Sequence, residues 1–207
     1  MMIRLLTAAG AAELVARGSR FIAAARAVID RDEVDGLVAG LRREHHRASH
    51  VCFAYRLGRE RSEEFGSDAG EPSGTAGKPL LDALRSCEVV DALVTVVRYF
   101  GGTKLGIRGL IDAYGGAARA ALEAARIAPV APFRRWRAVV DYAALAALRS
   151  RVNELGGRCE ALEYGAGVRV EMAFPAAADL EGWLVDLVGR GTLEGLEELT
   201  VAWLPLG

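Results

Sequence analysis

The stretch that most constrains this 207-residue chain is ALVTVVRYF (92–100). It is a nearly continuous apolar run closed by an arginine and two aromatics, and GGTKLGIRG (101–109) follows at once. Such a run reads as a strand buried on both faces, so the fold must supply a packed layer above and below it. The material is there, since 52% of the residues are hydrophobic and only 6 are proline. That composition excludes disorder as the dominant state. It also excludes a spanning helix, because every apolar stretch is broken by Arg, Asp or Gly short of about 18 residues. The first residues, MMIRLLTAAGAAELVARGSR, are faintly signal-like, but Glu13, Arg17 and Arg20 interrupt them. A cytoplasmic protein is expected.

Other elements assemble around that strand. After a short amphipathic lead-in, SRFIAAARAVI (19–29) reads as a strand, and Asp32 is placed to cap a helix over 33–44 whose apolar face is Val34, Leu37, Val38 and Leu41. HVCFAYRLG (50–58) has strand composition, and RSEEFG (61–66) is its expected hairpin partner. GSDAGEPSGTAGKP (66–79) is too rich in Gly, Ser, Asp and Pro for regular structure and reads as a long ordered loop, with Pro79 opening a helix over LLDALR. A further helix is expected over 109–126, and IAPVAPF (127–133) has the look of a linker. Beyond it the order is β-α-β-β-α-β, the ferredoxin-like split motif. The chain is therefore expected to be α+β with two domains, 1–132 and 133–207.

Charge narrows function only weakly. The net charge is −1. Residues 1–132 carry 18 basic and 16 acidic side chains, and residues 133–207 carry 8 and 11. Three cysteines, Cys52, Cys87 and Cys159, are an odd number without CxxC spacing, so buried reduced thiols are expected rather than disulfides or zinc. The only two lysines, Lys78 and Lys104, both lie in glycine-rich stretches, GTAGKP and GGTKLG.

Both glycine loops run into helices, and loop-to-helix junctions present unpaired N–H groups and the positive end of the helix dipole. Lys78, Ser73 and Thr75 in the first loop, and Arg98, Lys104 and Arg108 around the second, are the candidate anion- or RNA-binding residues. The loops themselves are marked by Asp68, Glu71, Gly74 and Gly77, and by Gly101, Gly102 and Gly106. The alternative is that the glycines serve only positive φ and close packing. Nucleotide motifs do not fit: GxxxxGK[ST] would need Gly at 72 and Ser or Thr at 79, where the chain has Pro72 and Pro79, and GxGxxG is absent from both loops.

No complete catalytic set, cofactor site or metal site is visible. Asp68 or Glu71 could act as a base, yet no histidine shares their loop and PSG is not a nucleophile elbow. His45, His46 and His50 with Cys52 lack ligand spacing on one helix, and a hydrogen-bonding role is expected for His50. Arg98 beside an emerging aromatic suits stacking on a base, although Phe100 is expected in the core. Trp136, Trp183 and Trp203 are expected to be packing residues.

GSDAGEPSGTAGKPLLDAL (66–84) and VVRYFGGTKLGIRGLIDAY (96–114) resemble the hallmark segments of the YigZ/IMPACT family, with SRFIA (19–23) and HVCFAYRLG (50–58) preceding them in order. The resemblance implies an N-terminal domain like the second domain of a small-subunit ribosomal protein, and a C-terminal domain like the last domain of elongation factor G. Eukaryotic members regulate translation initiation through a further domain that the matched segments do not include. The chain departs from the family pattern at Ile107-Arg108 and Asp112: Arg108 either replaces a basic charge lost at 112 or pairs with Asp112 one turn on. The expected function is a non-catalytic, translation-related regulator that binds RNA or the ribosome through the glycine loops. A protein-interaction adaptor, and an enzyme acting on a phosphorylated or peptide-like molecule through the 66–79 loop, are the alternatives. No cofactor and no membrane partner are expected.

Overall fold

The computed structural model describes residues 3–59 and 63–206. It divides into two compact units, Met1–Pro129 and Val130–Gly207. In the first unit, strands β1 (Ile3–Ala8), β2 (Gly10–Ala16), β3 (Ser19–Ala27), β4 (His50–Leu57), β5 (Glu63–Ser67) and β6 (Ala92–Tyr99) accompany helices α1 (Arg31–Glu44), α2 (Gly77–Ser86) and α3 (Gly106–Ala124). Five of the strands form one antiparallel sheet in the order β2-β3-β6-β4-β5. The apolar run at 92–100 is thus the middle strand. Alternation along it divides the core in two. Ala92, Val94 and Val96 join Phe21, Cys52 and Ala54 under α2 and α3, while Leu93 joins Phe53 and Tyr55 under α1.

Several boundaries differ from the sequence reading for local reasons. The lead-in is not loose: it forms β1 and β2. Gly10 has no side chain to keep β2 off α3, where a Cβ would come within 2.1 Å of the Ala121 carbonyl oxygen. Helix α1 begins at Arg31 and is capped by Asp30, not Asp32; the Asp30 carboxylate accepts from the Glu33 N–H at 2.8 Å. Pro79 is the third residue of α2, still within the first turn, where its missing N–H costs little. Phe100 is not a core residue; it stands beyond the end of β6, 49% exposed. Of the expected 61–66 strand, residues 61 and 62 lie outside the described residues. No described helix is long and apolar enough to cross a membrane.

The segment read as a linker is strand. β7 runs from Arg126 to Val140, and Val130 to Phe133 pair with the end of β10 (Leu193–Pro205) despite the two prolines. With α4 (Tyr142–Glu154), β8 (Arg158–Tyr164), β9 (Val168–Pro175) and α5 (Glu181–Gly189), the second unit has strand order β10-β7-β9-β8, all antiparallel. That is the ferredoxin-like arrangement. Its core includes Trp136 and Phe174, whose rings meet edge to face at 5.7 Å, and Trp183 meets Phe174 edge to face at 5.7 Å as well.

Two neighbouring glycines show how tightly the 101–105 loop is seated. A Cβ on Gly101 would lie 1.9 Å from the Gly18 carbonyl carbon, inside the β2–β3 turn. Gly102 has open space around it but a φ of +88°. Urea unfolding should therefore separate them. Gly102→Ala is expected to cost about 1–2 kcal/mol for the left-handed backbone, and Gly101→Ala about 3 kcal/mol or more, because two backbones must part.

Candidate nucleic-acid interface

Strand register delivers three side chains to one end of the central sheet. Arg98 lies opposite Phe21 on β3 and opposite His50 on β4, with Ser19 two residues before Phe21 on the same face. The 68–75 loop then folds over them and contributes Glu71, whose side chain is 3% exposed. Arg98 Nη1 donates to Glu71 Oε1 at 2.6 Å, and the Tyr114 hydroxyl from α3 donates to the same oxygen at 2.8 Å. His50 Nε2 is 3.7 Å from that oxygen, and its Nδ1 contacts the Ala69 carbonyl oxygen at 3.0 Å. Arg98 Nη2 also donates to Ser19 Oγ at 3.4 Å, and that hydroxyl accepts the Gly101 N–H at 3.1 Å. A buried ion pair with this many supporting hydrogen bonds ties both glycine loops to the sheet.

The first loop has already filled its own anion seat. The Asp68 carboxylate accepts N–H bonds from Gly74, Ala76 and Gly77, each at 2.8 Å, and so occupies the start of α2. Burial alone would push this carboxyl up. The three N–H donors outweigh it and hold Asp68 below the usual carboxylate range. Thr75 is buried, its hydroxyl donating to the Pro72 carbonyl oxygen at 2.6 Å. Lys78 is exposed but paired with Asp82 at 2.6 Å. Ser73 is exposed.

The second loop is different. Among the described residues no side chain accepts from an N–H at the start of α3, which is 19 residues long. Lys104 and Arg108 are exposed beside it, with no ion-pair partner among the described residues. Arg108 and Asp112 do not pair. The structure therefore separates the candidate residues: Lys104, Arg108 and the Gly101–Gly106 turn lie at an open helix end, while Arg98 is spent inside the sheet and Ser73, Thr75, Gly74 and Gly77 surround Asp68.

The groups best suited to chemistry are engaged. Burial pushes the Cys52 thiol up to about 12, and its Sγ lies 3.1 Å from the Asp68 carbonyl oxygen and 3.4 Å from the Tyr114 hydroxyl. Burial likewise raises Tyr114 well above the ordinary phenol range. Both candidate bases, Asp68 and Glu71, are held by protein donors. Of the thiols expected to be buried, Cys52 is so; Cys87 and Cys159 are half-buried, and all three are free. His45 contacts the Tyr99 hydroxyl through Nδ1 at 2.9 Å, so it and His50 face different partners.

What sequence reasoning missed was the charge beyond the loops. The segment LRREHHR at the end of α1 puts Arg42, Arg43 and Arg47 at the same end of the sheet, because β4 starts at His50 beside Arg98. None of the three has a carboxylate partner among the described residues; Arg4, Arg26, Arg119 and Arg126 elsewhere on this unit also lack one, whereas Arg31, Arg56, Lys78 and Arg85 are paired. The helix-end run of arginines was the available signal.

These features describe an α+β protein of two units whose first unit closes two glycine loops over a buried Arg–Glu pair and carries a basic sheet end. Comparison with known proteins places that unit. The Impact N-terminal domain matches residues 17–122. The chain is 34% identical to the Escherichia coli IMPACT family member YigZ over 85% of its own length and 88% of that protein's. It is 33% identical to the Bacillus subtilis IMPACT family member YvyE over 79% and 75%. A crystal structure of a hypothetical protein aligns over 96% of this chain and 97% of its own, with 30% identity and a TM-score of 0.64. The chain belongs to the IMPACT family.

The Asp68 cap has a pH signature. A carboxyl whose folded pKa is depressed stabilises the protein above its unfolded pKa, and that stabilisation is lost as pH falls through the folded value. Asp68→Asn is expected to cost about 1–2 kcal/mol at pH 7, with the gap to wild type shrinking below about pH 4. Urea titrations at pH 7 and pH 3 check this; an equal cost at both would mean the charge contributes nothing.

Proposed function

We propose that the first unit is a non-catalytic, translation-related module of a cytoplasmic protein that binds RNA, free or in the ribosome, through the loop between β6 and α3. The observation that carries this reading is the contrast between the two helix starts. Asp68 fills that of α2, whereas that of α3 is uncapped and flanked by Lys104 and Arg108, two exposed cations with no carboxylate partner among the described residues. Backbone N–H groups and a helix dipole at such an end attract a phosphate oxygen, and neighbouring cations add sequence-independent affinity through counterion release. The engaged state of Asp68, Glu71 and Cys52 favours binding over catalysis. Family membership is consistent with the same reading, since the matched domain, residues 17–122, spans both loops.

Binding to labelled RNA and to ribosomal subunits across a salt series tests it. Affinity is expected to fall steeply with salt, and Lys104→Ala with Arg108→Ala is expected to flatten the slope by about 1 for each phosphate no longer held. Lys78→Ala, whose ammonium is already paired, should leave the slope unchanged. Binding indifferent to salt, or equally weakened by all three substitutions, would refute the assignment to the second loop.

A further inference from the structure

Phe100 stands at the junction of the buried network and the basic surface, and the phosphate-binding role above does not use it. The residue is 49% exposed, yet it is not loosely held. The Phe100 N–H donates to Ser49 Oγ at 3.1 Å, and the Ser49 N–H donates to the Arg98 carbonyl oxygen at 2.8 Å, so the α1–β4 turn clamps the backbone on both sides of the bend. The Arg98 guanidinium lies 5.6 Å from the ring centroid and is itself fixed by Glu71 and Ser19. An aromatic ring is thus backed by an immobile cation and turned toward solvent. Other large apolar side chains of this unit are exposed too, Ile29 and Ile107 among them; what distinguishes Phe100 is the fixed cation behind its ring and the basic residues at this end of the sheet.

The β2–β3 turn packs Gly18 against Gly101, with Arg17 the residue before it; α1 ends in Arg42 and Arg43, with Arg47 in the turn that follows; and Lys104 and Arg108 flank the start of α3. None of these six cations pairs with a carboxylate among the described residues. Next to Ser49 a cleft of 380 Å³ is lined by Arg42 and by all three histidines of the chain, His45, His46 and His50. A concentration of unpaired cations matches a polyanion, and a solvent-facing ring among them matches a flat apolar group carried on that polyanion. Unpaired nucleotides have both parts, whereas the bases of a duplex are stacked on one another and offer no free face.

We propose that this sheet end takes unpaired RNA, with one base stacked on Phe100 and the flanking phosphates held by the α3 start on one side and the α1–β4 arginines on the other. This rests on the RNA-binding reading of the second loop and specifies the form of RNA it accepts. The probes are a fluorescein-labelled oligouridylate and an RNA duplex of equal phosphate number, each titrated with the full chain at 50 mM and 200 mM salt. Phe100→Leu keeps the apolar contact with Arg98 but removes the π face, and is expected to weaken oligouridylate binding about 5- to 150-fold. Duplex affinity should change less than about twofold, the salt slope for the single strand should be unaltered, and Phe100→Trp should restore binding to within about threefold of wild type.

Oligouridylate affinity within twofold of wild type in Phe100→Leu would overturn the stacking seat, and so would an equal loss on the duplex. If that happens while Lys104→Ala with Arg108→Ala still flattens the salt slope, the phosphate reading survives and only this inference fails. Wild type that binds neither probe at 50 mM salt overturns this inference, and wild type that also fails to bind ribosomal subunits overturns the phosphate reading with it.

Discussion

One carboxylate oxygen, Oε1 of Glu71, holds the loop-bearing end of the first unit together. It accepts from Arg98 and Tyr114 and faces His50, so strands β4 and β6, helix α3 and the 68–75 loop all meet there. A buried charge pair gains little net stability over well-packed apolar residues, because desolvation offsets much of the attraction. Its influence lies in what happens when one partner leaves: the other is stranded in a dry interior at a cost of about 3–5 kcal/mol. Such a pair therefore selects one arrangement of the loops and makes the others expensive. Apolar packing of the loops on the core is limited to a few side chains, Ala69, Ala76 and Leu105, so polar contacts carry much of their placement.

The two glycine loops look alike in composition and have been put to different uses. The first is closed on itself. Asp68 supplies the negative charge that the start of α2 attracts, and the result is a rigid cover over Glu71. The second is held by its backbone, with Gly101 pressed against Gly18 and its N–H on Ser19, and this leaves the start of α3 without a side-chain cap. Rigidity in one loop and an open helix end in the other are complementary: a site that binds anions gains affinity when its donors need no ordering.

Much of this was legible in the sequence, and the reasons it was or was not are physical. The middle strand was readable because burial on both faces leaves an unbroken apolar run, and the ferredoxin-like order because each element kept its own periodicity. β2 was not readable, since GAAELVA has weak strand character and is held by the bare backbone of Gly10 against α3. The 127–133 segment was misread because prolines usually mark linkers, but here two of them sit in a paired strand. At the site, the acidic and basic residues were visible and their partners were not. Nothing local to Asp68 says that its carboxylate bonds to N–H groups six, eight and nine residues later. Nothing local to Phe100 distinguishes a core ring from one displayed at the surface, because the clamp comes from Ser49 across the sheet.

The most direct measurement is a double-mutant cycle between Arg98 and Glu71, using Arg98→Met, Glu71→Gln and the double variant, with stability read from urea unfolding. If this pair fixes the loops, each single change is expected to cost more than about 2 kcal/mol, and the double variant to cost well below their sum, with a coupling of about 1.5–3 kcal/mol. Additive costs, with a coupling below about 0.5 kcal/mol, would mean that the two residues act independently and that the loops are positioned by something else.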